Sequence, residues 1–170
     1  MSESYVLGIL WAIATISDDM LLIRSIDESD VEPVAAFLQR KPYLNGGRHT
    51  LKLSLHHPLA VRLLSLEWSG RKDTERGEPA GETDIPEWAA GYCRVRAHVA
   101  PWRAGRRARI YGSLPIISGL SDLLCGILGV KPKKPQRCKT KDGETWALYY
   151  QHQKEVAKIE NWLEIRKPPS

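Results

Sequence analysis

The chain has 170 residues, of which 42% are hydrophobic and 26% are charged, a composition typical of a globular protein with one or two small cores. Its longest apolar stretch, residues 6–16, is too short to span a bilayer, and neither a basic region before it nor a cleavage pattern after it indicates export. The three widely spaced cysteines contain no CxxC pair, which excludes the common zinc-site spacing and favours a reduced, intracellular and cytoplasmic protein.

The first half of the chain is predicted to contain three helices and two strands. We expect the helices at Tyr5–Ile16, Val31–Arg40 and Leu59–Trp68, and the strands at Met20–Ser25 and Arg48–His56. Asn45-Gly46-Gly47 is a candidate turn before the second strand. That strand alternates Leu51, Leu53 and Leu55 with Thr50, Lys52, Ser54 and His56. One of its faces should therefore pack on helices, while the other is open to water or a ligand.

Residues 69–85 are polar and rich in glycine and charge, and they lack an apolar period. They predict a linker between one repeat at residues 1–68 and a second at residues 86–166, with residues 167–170 as a tail.

The second half is predicted to repeat the element order of the first. We expect helices at Pro86–Val95, Pro115–Leu128 and Glu155–Ile165, and strands at Arg96–Ala100, Arg106–Gly112, Gln136–Lys141 and Thr145–His152. At a constant offset of 95, His57, Val61 and Leu64 match His152, Val156 and Ile159. An internal duplication is the preferred interpretation.

Positive charge is concentrated in the second half. Residues 94–141 contain twelve Lys or Arg against one acid, Asp122, which gives this segment a net charge of +11. Such a segment is typical of proteins that bind a polyanion, although a solvated basic face is the alternative. Arg107, Arg109 and Tyr111 alternate with apolar residues along one strand, and Trp102 is the best candidate for an exposed aromatic contact. Along the predicted strand at residues 145–152, apolar and polar residues alternate less clearly.

Two segments carry a motif with small residues in a helix. The first is "VLGILWAIAT", with Gly8 and Ala12 one turn apart, and the second is "EWAAGYCRVRAHV", with Gly91 and Val95 at the matching positions. Small residues let two helices approach closely. Both segments, and the pattern that follows the second one, resemble the LAGLIDADG homing endonucleases over residues 4–166. The resemblance implies an α/β (α+β) fold in which two repeats form a DNA-binding saddle of antiparallel sheets around a pseudo-twofold helix pair.

In that family, the last acid of each motif binds the divalent metal that activates water. The matching positions here are Ile13 and Arg96, and the earlier, often acidic positions are Trp11 and Arg94. The resemblance therefore implies a degenerate scaffold without metal, cofactor or catalytic residues. Asp18 and Asp19 lie close by in sequence and are the only candidates near the first motif for a relocated Mg²⁺ site.

The function that follows from the resemblance is binding of double-stranded DNA without cleavage, by a regulator that is a monomer with internal pseudosymmetry. Structured RNA bound in the manner of a maturase, a residual metal-dependent endonuclease and a module that binds an acidic protein are the alternatives. The candidate DNA contacts are Arg24, Arg48, Lys52, His56, Arg94, Arg96, Arg103, Arg106, Arg107, Arg109, Lys139 and Lys141.

Overall fold

The computed structural model describes residues 1–140 and 143–165, in which one order of helices and strands occurs twice. The first copy consists of α1 (Glu3–Ile13), β1 (Ala14–Ser17), β2 (Met20–Ser25), α2 (Glu28–Phe37), β3 (Tyr43–Asn45), β4 (Arg48–Ser54) and α3 (Pro58–Ser65). The second consists of α4 (Ile85–Arg96), β5 (Ala97–Trp102), β6 (Gly105–Gly112), α5 (Leu114–Leu128), β7 (Gln136–Thr140), β8 (Gly143–Tyr150) and α6 (Gln153–Ile165). Both sheets are antiparallel, and their strand orders, β1-β2-β4-β3 and β5-β6-β8-β7, are equivalent. The predicted mixed α/β fold with an internal repeat is confirmed.

Contacts divide the chain into two compact units. The first contains residues 1–72 and 79–95, so that α4 packs with the first sheet's unit up to Val95. The second contains residues 73–78 together with the described residues from Arg96 to the end of α6. The predicted linker is thus divided between the units, and hydrogen bonds to main-chain carbonyls hold it in each. The Ser113 hydroxyl donates to the Arg76 carbonyl in the second unit, and the Ala80 N–H donates to the Leu66 carbonyl in the first.

Sheet 1, formed by β1 to β4, buries the alternate residues of its central strands. Leu21 and Ile23 of β2 lie opposite Leu53 and Leu51 of β4, and all four are buried beneath α1 and α2. Burial of these four side chains stabilises the unit by roughly 1.5 to 3 kcal/mol each. The leucine face predicted for the second strand is therefore confirmed.

Several predicted boundaries in this unit are wrong, and the short strands β1 and β3 are missing from the prediction. Helix α1 ends at Ile13 and not at Ile16, because Thr15 and Ile16 are β-branched and continue into a strand that pairs with β2. Strand β4 ends at Ser54, so that His56 lies in the following turn. The short edge strand β3 was absent from the prediction, although the turn at Gly46-Gly47, with φ of 57° and 70°, was expected.

Sheet 2, formed by β5 to β8, is built in the same way. Ala108 and Ile110 of β6 lie opposite Tyr150 and Leu148 of β8 on the buried face, which α5 and α6 cover. Helix α5 ends at Gly129, whose φ of 60° is the left-handed conformation that favours glycine at a helix end.

The difference in residue number between equivalent positions of the two copies changes along the chain. Gly8 matches Gly91, an offset of 83, whereas the buried residues of α3 and α6 match at an offset of 96. The predicted pairing at 95 holds for His57 and His152, which each precede the first residue of their helix. It is wrong for Val61 and Val156, because Val61 is 51% exposed and Val156 is buried. None of the described helices is both long enough and apolar enough to cross a membrane.

Candidate nucleic-acid interface

The two motif helices, α1 and α4, touch through their backbones at two glycines. A Cβ added to Gly8 would lie 2.0 Å from the Trp88 carbonyl oxygen, and one added to Gly91 would lie 1.9 Å from the Tyr5 carbonyl oxygen. Trp88 precedes Gly91 by three residues, and Tyr5 precedes Gly8 by three, so the contact is reciprocal. The small residues at these two positions are therefore required by the close approach.

The rest of the helix seam is less uniform. Ala12 is fully buried, whereas Val95 keeps part of its surface exposed. Trp11 packs edge-on against Trp88 with ring centroids 5.9 Å apart, and Trp88 stacks on Tyr92 at 5.5 Å. Large rings thus surround the glycine contact and bury apolar area on both sides of it.

Ile13 and Arg96 are the last residues of α1 and α4. The two positions that the motif assigns to metal-binding acids are thus at equivalent helix ends, and Ile13 is buried there. Across residues 1–140 and 143–165, no group of three or more His, Cys, Asp or Glu side chains is arranged to hold a metal ion.

Asp18 and Asp19 form the two-residue turn of the β1–β2 hairpin. Ser17 pairs with Met20 directly across the turn, and the two aspartates have φ of 50° and 60°. Consecutive residues with positive φ are typical of the hairpin turn that favours Asn, Asp and Gly. The conformation of this turn therefore accounts for the presence of both aspartates.

One face of sheet 1 collects three of the predicted cations. Arg24 of β2 and both Arg48 and Lys52 of β4 lie on the side of the sheet opposite to the buried leucines. By register, the same face also carries Thr15, Ser17, Met20, Leu22, Tyr43, Asn45, Thr50 and Ser54. We call this set the sheet 1 face.

The corresponding face of sheet 2 combines cations with aromatic rings. Its members by register are His98, Ala100, Trp102, Arg107, Arg109, Tyr111, Gln136, Cys138, Thr145, Ala147 and Tyr149. We call this set the sheet 2 face. The predicted alternation along β6 is confirmed, and β8 resolves with Tyr149 on this face and Tyr150 buried.

Arg107 lies between two aromatic rings of the sheet 2 face. Its guanidinium carbon is 3.5 Å from the Trp102 ring centroid and 5.1 Å from that of Tyr149. Arg103, in the β5–β6 turn, is 5.9 Å from the same Trp102 ring. These distances are within the range of cation–π attraction, which orders the arginine at the surface.

Tyr149 is held by a second contact on this face. Its hydroxyl lies 3.1 Å from the Cys138 thiol, and this hydrogen bond, with partial burial, raises the pKa of Tyr149 to about 12. The phenol is therefore neutral at physiological pH and available as a hydrogen-bonding group.

Several predicted contacts lie elsewhere. Arg106 is on the helix side of β6, where it forms a 2.5 Å ion pair with Glu160. Arg94 donates from two guanidinium nitrogens to the Ser29 carbonyl at 2.9 and 3.3 Å. By register, Lys139 belongs to the side of β7 opposite to Cys138. His56 lies in a turn, as described above, and Lys141 lies outside the described residues.

Sequence reasoning placed Tyr111 and Trp102 near the predicted contacts but did not identify Tyr149 as a member of the same face. The available signal was the alternation along β8. Once Tyr150 is assigned to the buried face, its neighbour Tyr149 must lie on the opposite face. Trp102 was expected to be exposed, and it is 37% exposed. The position of its ring over Arg107 depends on strand pairing, which the sequence alone does not state.

Net charge differs between the two units. Residues 1–72 and 79–95 contain nine Lys or Arg and eleven Asp or Glu, a net charge of −2. Residues 73–78 and 96–169 contain sixteen Lys or Arg and nine Asp or Glu, a net charge of +7. The excess predicted from the sequence thus belongs to the unit with the aromatic face.

Comparison with known proteins identifies the fold through structure and not through sequence. No family model and no curated protein matches this chain. Among solved structures, the LAGLIDADG homing endonuclease I-GzeII in complex with its DNA target aligns over 100% of this chain and 85% of its own, with a TM-score of 0.54 and 10% identity. Meganuclease I-SmaMI, bound to uncleaveable DNA, aligns over 99% of this chain and 85% of its own, with a TM-score of 0.56 and 11% identity.

A third similar structure is the N-terminal LAGLIDADG domain of DUF199/WhiA. It aligns over 98% of this chain and 82% of its own, with a TM-score of 0.51 and 9% identity. Together with the element order and the glycine contact, these likenesses establish that the chain has a LAGLIDADG-like fold with both repeats present. The resemblance inferred from the two motif segments is confirmed at the level of the fold.

Proposed function

We propose that this chain binds double-stranded DNA through its two sheet faces and does not cleave it. The observation that carries the proposal is the clustering of cations by strand register: Arg24, Arg48 and Lys52 on the sheet 1 face, and Arg107 and Arg109 on the sheet 2 face. Two proteins of similar fold, I-GzeII and I-SmaMI, were solved with DNA, which supports DNA as the class of ligand.

Affinity in this proposal comes mainly from phosphate contacts. Lysine and arginine side chains neutralise phosphates and release condensed counterions, so binding weakens steeply as salt is added. The hydroxyl and amide groups of the sheet 1 face, such as Thr15 and Asn45, are suited to hydrogen bonds with base edges.

The absence of cleavage is proposed because both motif positions lack an acid. Isoleucine has no metal ligand atom, and a cationic Arg96 repels a divalent ion. Arg96 can instead contact a phosphate, which adds affinity in place of chemistry. A protein that occupies DNA without cutting it acts by excluding other proteins, which is how a regulator of this type would work.

The DNA-binding proposal is tested by fluorescence anisotropy with a random-sequence duplex, titrated between about 50 and 200 mM salt. The double variant Arg107→Gln/Arg109→Gln should lower affinity and reduce the salt slope by about 2, because about 0.9 counterions are released per phosphate contact. The matched control is Arg106→Gln/Lys154→Gln, which removes the same charge from the side of the sheet where α6 packs. Equal losses for the two double variants would contradict the proposed faces.

The non-cleaving part is tested separately with a plasmid library incubated with Mg²⁺ or Mn²⁺. We expect no linear product. Cleavage that is lost in the Asp18→Ala variant would instead establish a relocated metal site at the β1–β2 turn.

A further inference from the structure

The sheet 2 face carries more aromatic surface than phosphate binding requires. Tyr111 and Tyr149 lie on the two central strands, β6 and β8, and His98 and Trp102 lie on β5. Burial of apolar area does not explain these rings, because the opposite side of the sheet already forms the core with Tyr150 and Ile110. Trp102 keeps 37% of its surface exposed, which is costly for a large ring that has no ligand.

On the two central strands, the aromatic character is specific to the second copy. At the sheet 1 positions that match Arg107, Arg109 and Tyr149 by register, the first copy has Met20, Leu22 and Lys52. The β5–β6 hairpin is also longer, because six residue pairs join its strands and only four join β1 and β2. Trp102 lies in this extension, so the first copy has no equivalent of it.

The rings are ordered and interleaved with positive charge. Arg107 lies over Trp102 at 3.5 Å and near Tyr149 at 5.1 Å, and the His98 and Tyr111 centroids are 6.0 Å apart. An aromatic side chain stacks on the face of a nucleic-acid base while a nearby arginine contacts the phosphate. In a duplex these base faces are covered by neighbouring base pairs, and only base edges are available in the grooves.

We infer that the sheet 2 face binds unpaired nucleotides, with bases stacked on Trp102, Tyr111 and Tyr149 and phosphates held by Arg107 and Arg109. Stacking of splayed bases on aromatic side chains of the central strands of a four-stranded sheet is an established way to bind single strands. The inference rests on the proposed nucleic-acid binding through the same face, and it adds unpaired nucleotides to the ligands that this face binds.

The inference is tested by anisotropy with single-stranded DNA, single-stranded RNA and duplex DNA of one sequence at one salt concentration. Trp102→Ala should weaken binding of either single strand by about 10-fold, because one stacked base is lost, and should leave duplex affinity nearly unchanged. Trp102→Phe should retain most of the single-strand affinity, which separates stacking from a folding defect. Tyr43→Ala is the matched control, because it removes an aromatic ring that is 44% exposed from the sheet 1 face.

A second measurement locates the bound strand on the face. Cys138 lies 3.1 Å from the Tyr149 hydroxyl, so a single strand on the sheet 2 face should slow alkylation of its thiol. A Cys125→Ser background isolates this signal, because Cys93 is fully buried and burial raises its pKa to about 12. Binding of a single strand without any slowing of alkylation would place the bound nucleotides away from this face and overturn the inference.

The outcomes separate this inference from the proposed function. If the Arg107→Gln/Arg109→Gln variant loses duplex binding while Trp102→Ala changes neither single-strand nor duplex affinity, the stacking inference is overturned and duplex binding stands. Equal losses for single strands and duplex in Trp102→Ala also overturn it, because a stacked base would not be involved. Failure of every nucleic acid to bind at low salt overturns both.

Discussion

Gly8 and Gly91 are the residues on which the helix seam depends most directly. Alanine normally stabilises a helix relative to glycine by up to about 1 kcal/mol. Here, however, a methyl group at either position would meet a carbonyl oxygen of the facing helix at 2.0 or 1.9 Å. We expect Gly8→Ala and Gly91→Ala each to lower the free energy of unfolding by about 1 to 3 kcal/mol or more, measured by urea denaturation.

The matched control for this prediction is Gly126→Ala on α5. A Cβ at Gly126 would have no heavy atom within 4 Å, so this variant should be neutral or slightly more stable. If all three alanine variants were similarly stable, α1 and α4 would have to move apart around the added methyl group at no cost in free energy, which would contradict the prediction.

Glu155 is the residue whose titration should affect stability most clearly. Burial alone would raise its pKa, but hydrogen bonds from Lys133 Nζ and the Lys131 N–H, each 2.8 Å long, outweigh burial and lower the pKa. A depressed folded-state pKa stabilises the protein above the unfolded-state pKa, and this stabilisation is lost as pH falls through the folded-state value.

We therefore expect Glu155→Gln to lower the free energy of unfolding at pH 7 by about 1.5 to 3 kcal/mol, because charge-assisted hydrogen bonds are lost. The difference from the parent protein should shrink as the pH is lowered into the acidic range where Glu155 protonates. Glu32→Gln, which removes an exposed acid on α2, is the control for the loss of one negative charge. A Glu155→Gln defect that is constant with pH would contradict the assignment.

At the scale of elements, the β1–β2 hairpin shows how a turn accounts for residues that otherwise suggest chemistry. Asp18 and Asp19 both have positive φ, a conformation that Asn-Gly adopts at lower cost. The double variant Asp18→Asn/Asp19→Gly should raise the free energy of unfolding by about 1 kcal/mol, measured by urea denaturation. Destabilisation would mean that the two carboxylates make contacts beyond the turn.

The sequence predicted elements well wherever the local pattern and the tertiary environment agree. The β2 boundaries, the leucine face of β4 and the end of α5 at Gly129 follow from alternation and from turn or cap residues that act locally. Strands β1 and β3 were missed because they are only four and three residues long and are defined by pairing with β2 and β4. The apolar run at residues 6–16 is predicted as one helix because its last residues form a strand only through pairing with a partner strand.

The candidate site was predictable only in part for the same reason. Alternation placed Arg107 and Arg109 together, since both belong to one strand. Arg106 lies on the other side of the strand, and its ion pair with Glu160 was not predictable because Glu160 is distant in sequence and belongs to α6. The ring contacts of Arg107 likewise join three strands, and the register that brings them together is a property of the folded sheet.

At the scale of the whole molecule, the repeat within one chain predicts its state of association. The motif helices α1 and α4 already pack against each other through Gly8 and Gly91, so this seam offers no surface to a second copy. We expect multi-angle light scattering after size-exclusion chromatography to give the mass of a single chain, 19.2 kDa, in both low and high salt. High salt screens the charge repulsion between copies and so favours any dimer that can form. A mass of twice this value at high salt would therefore contradict the prediction.

The backbone contact between the motif helices also bears on how the two copies have diverged. Main-chain atoms are the same whatever side chains surround them, so the close approach itself constrains only Gly8 and Gly91, and the buried rings of Trp11, Trp88 and Tyr92 complete the seam around it. Away from this contact the two copies differ: the second unit has a net charge of +7 and a longer first hairpin, whereas the first unit has a net charge of −2. A contact made by main-chain atoms is thus compatible with two copies whose side chains have little in common.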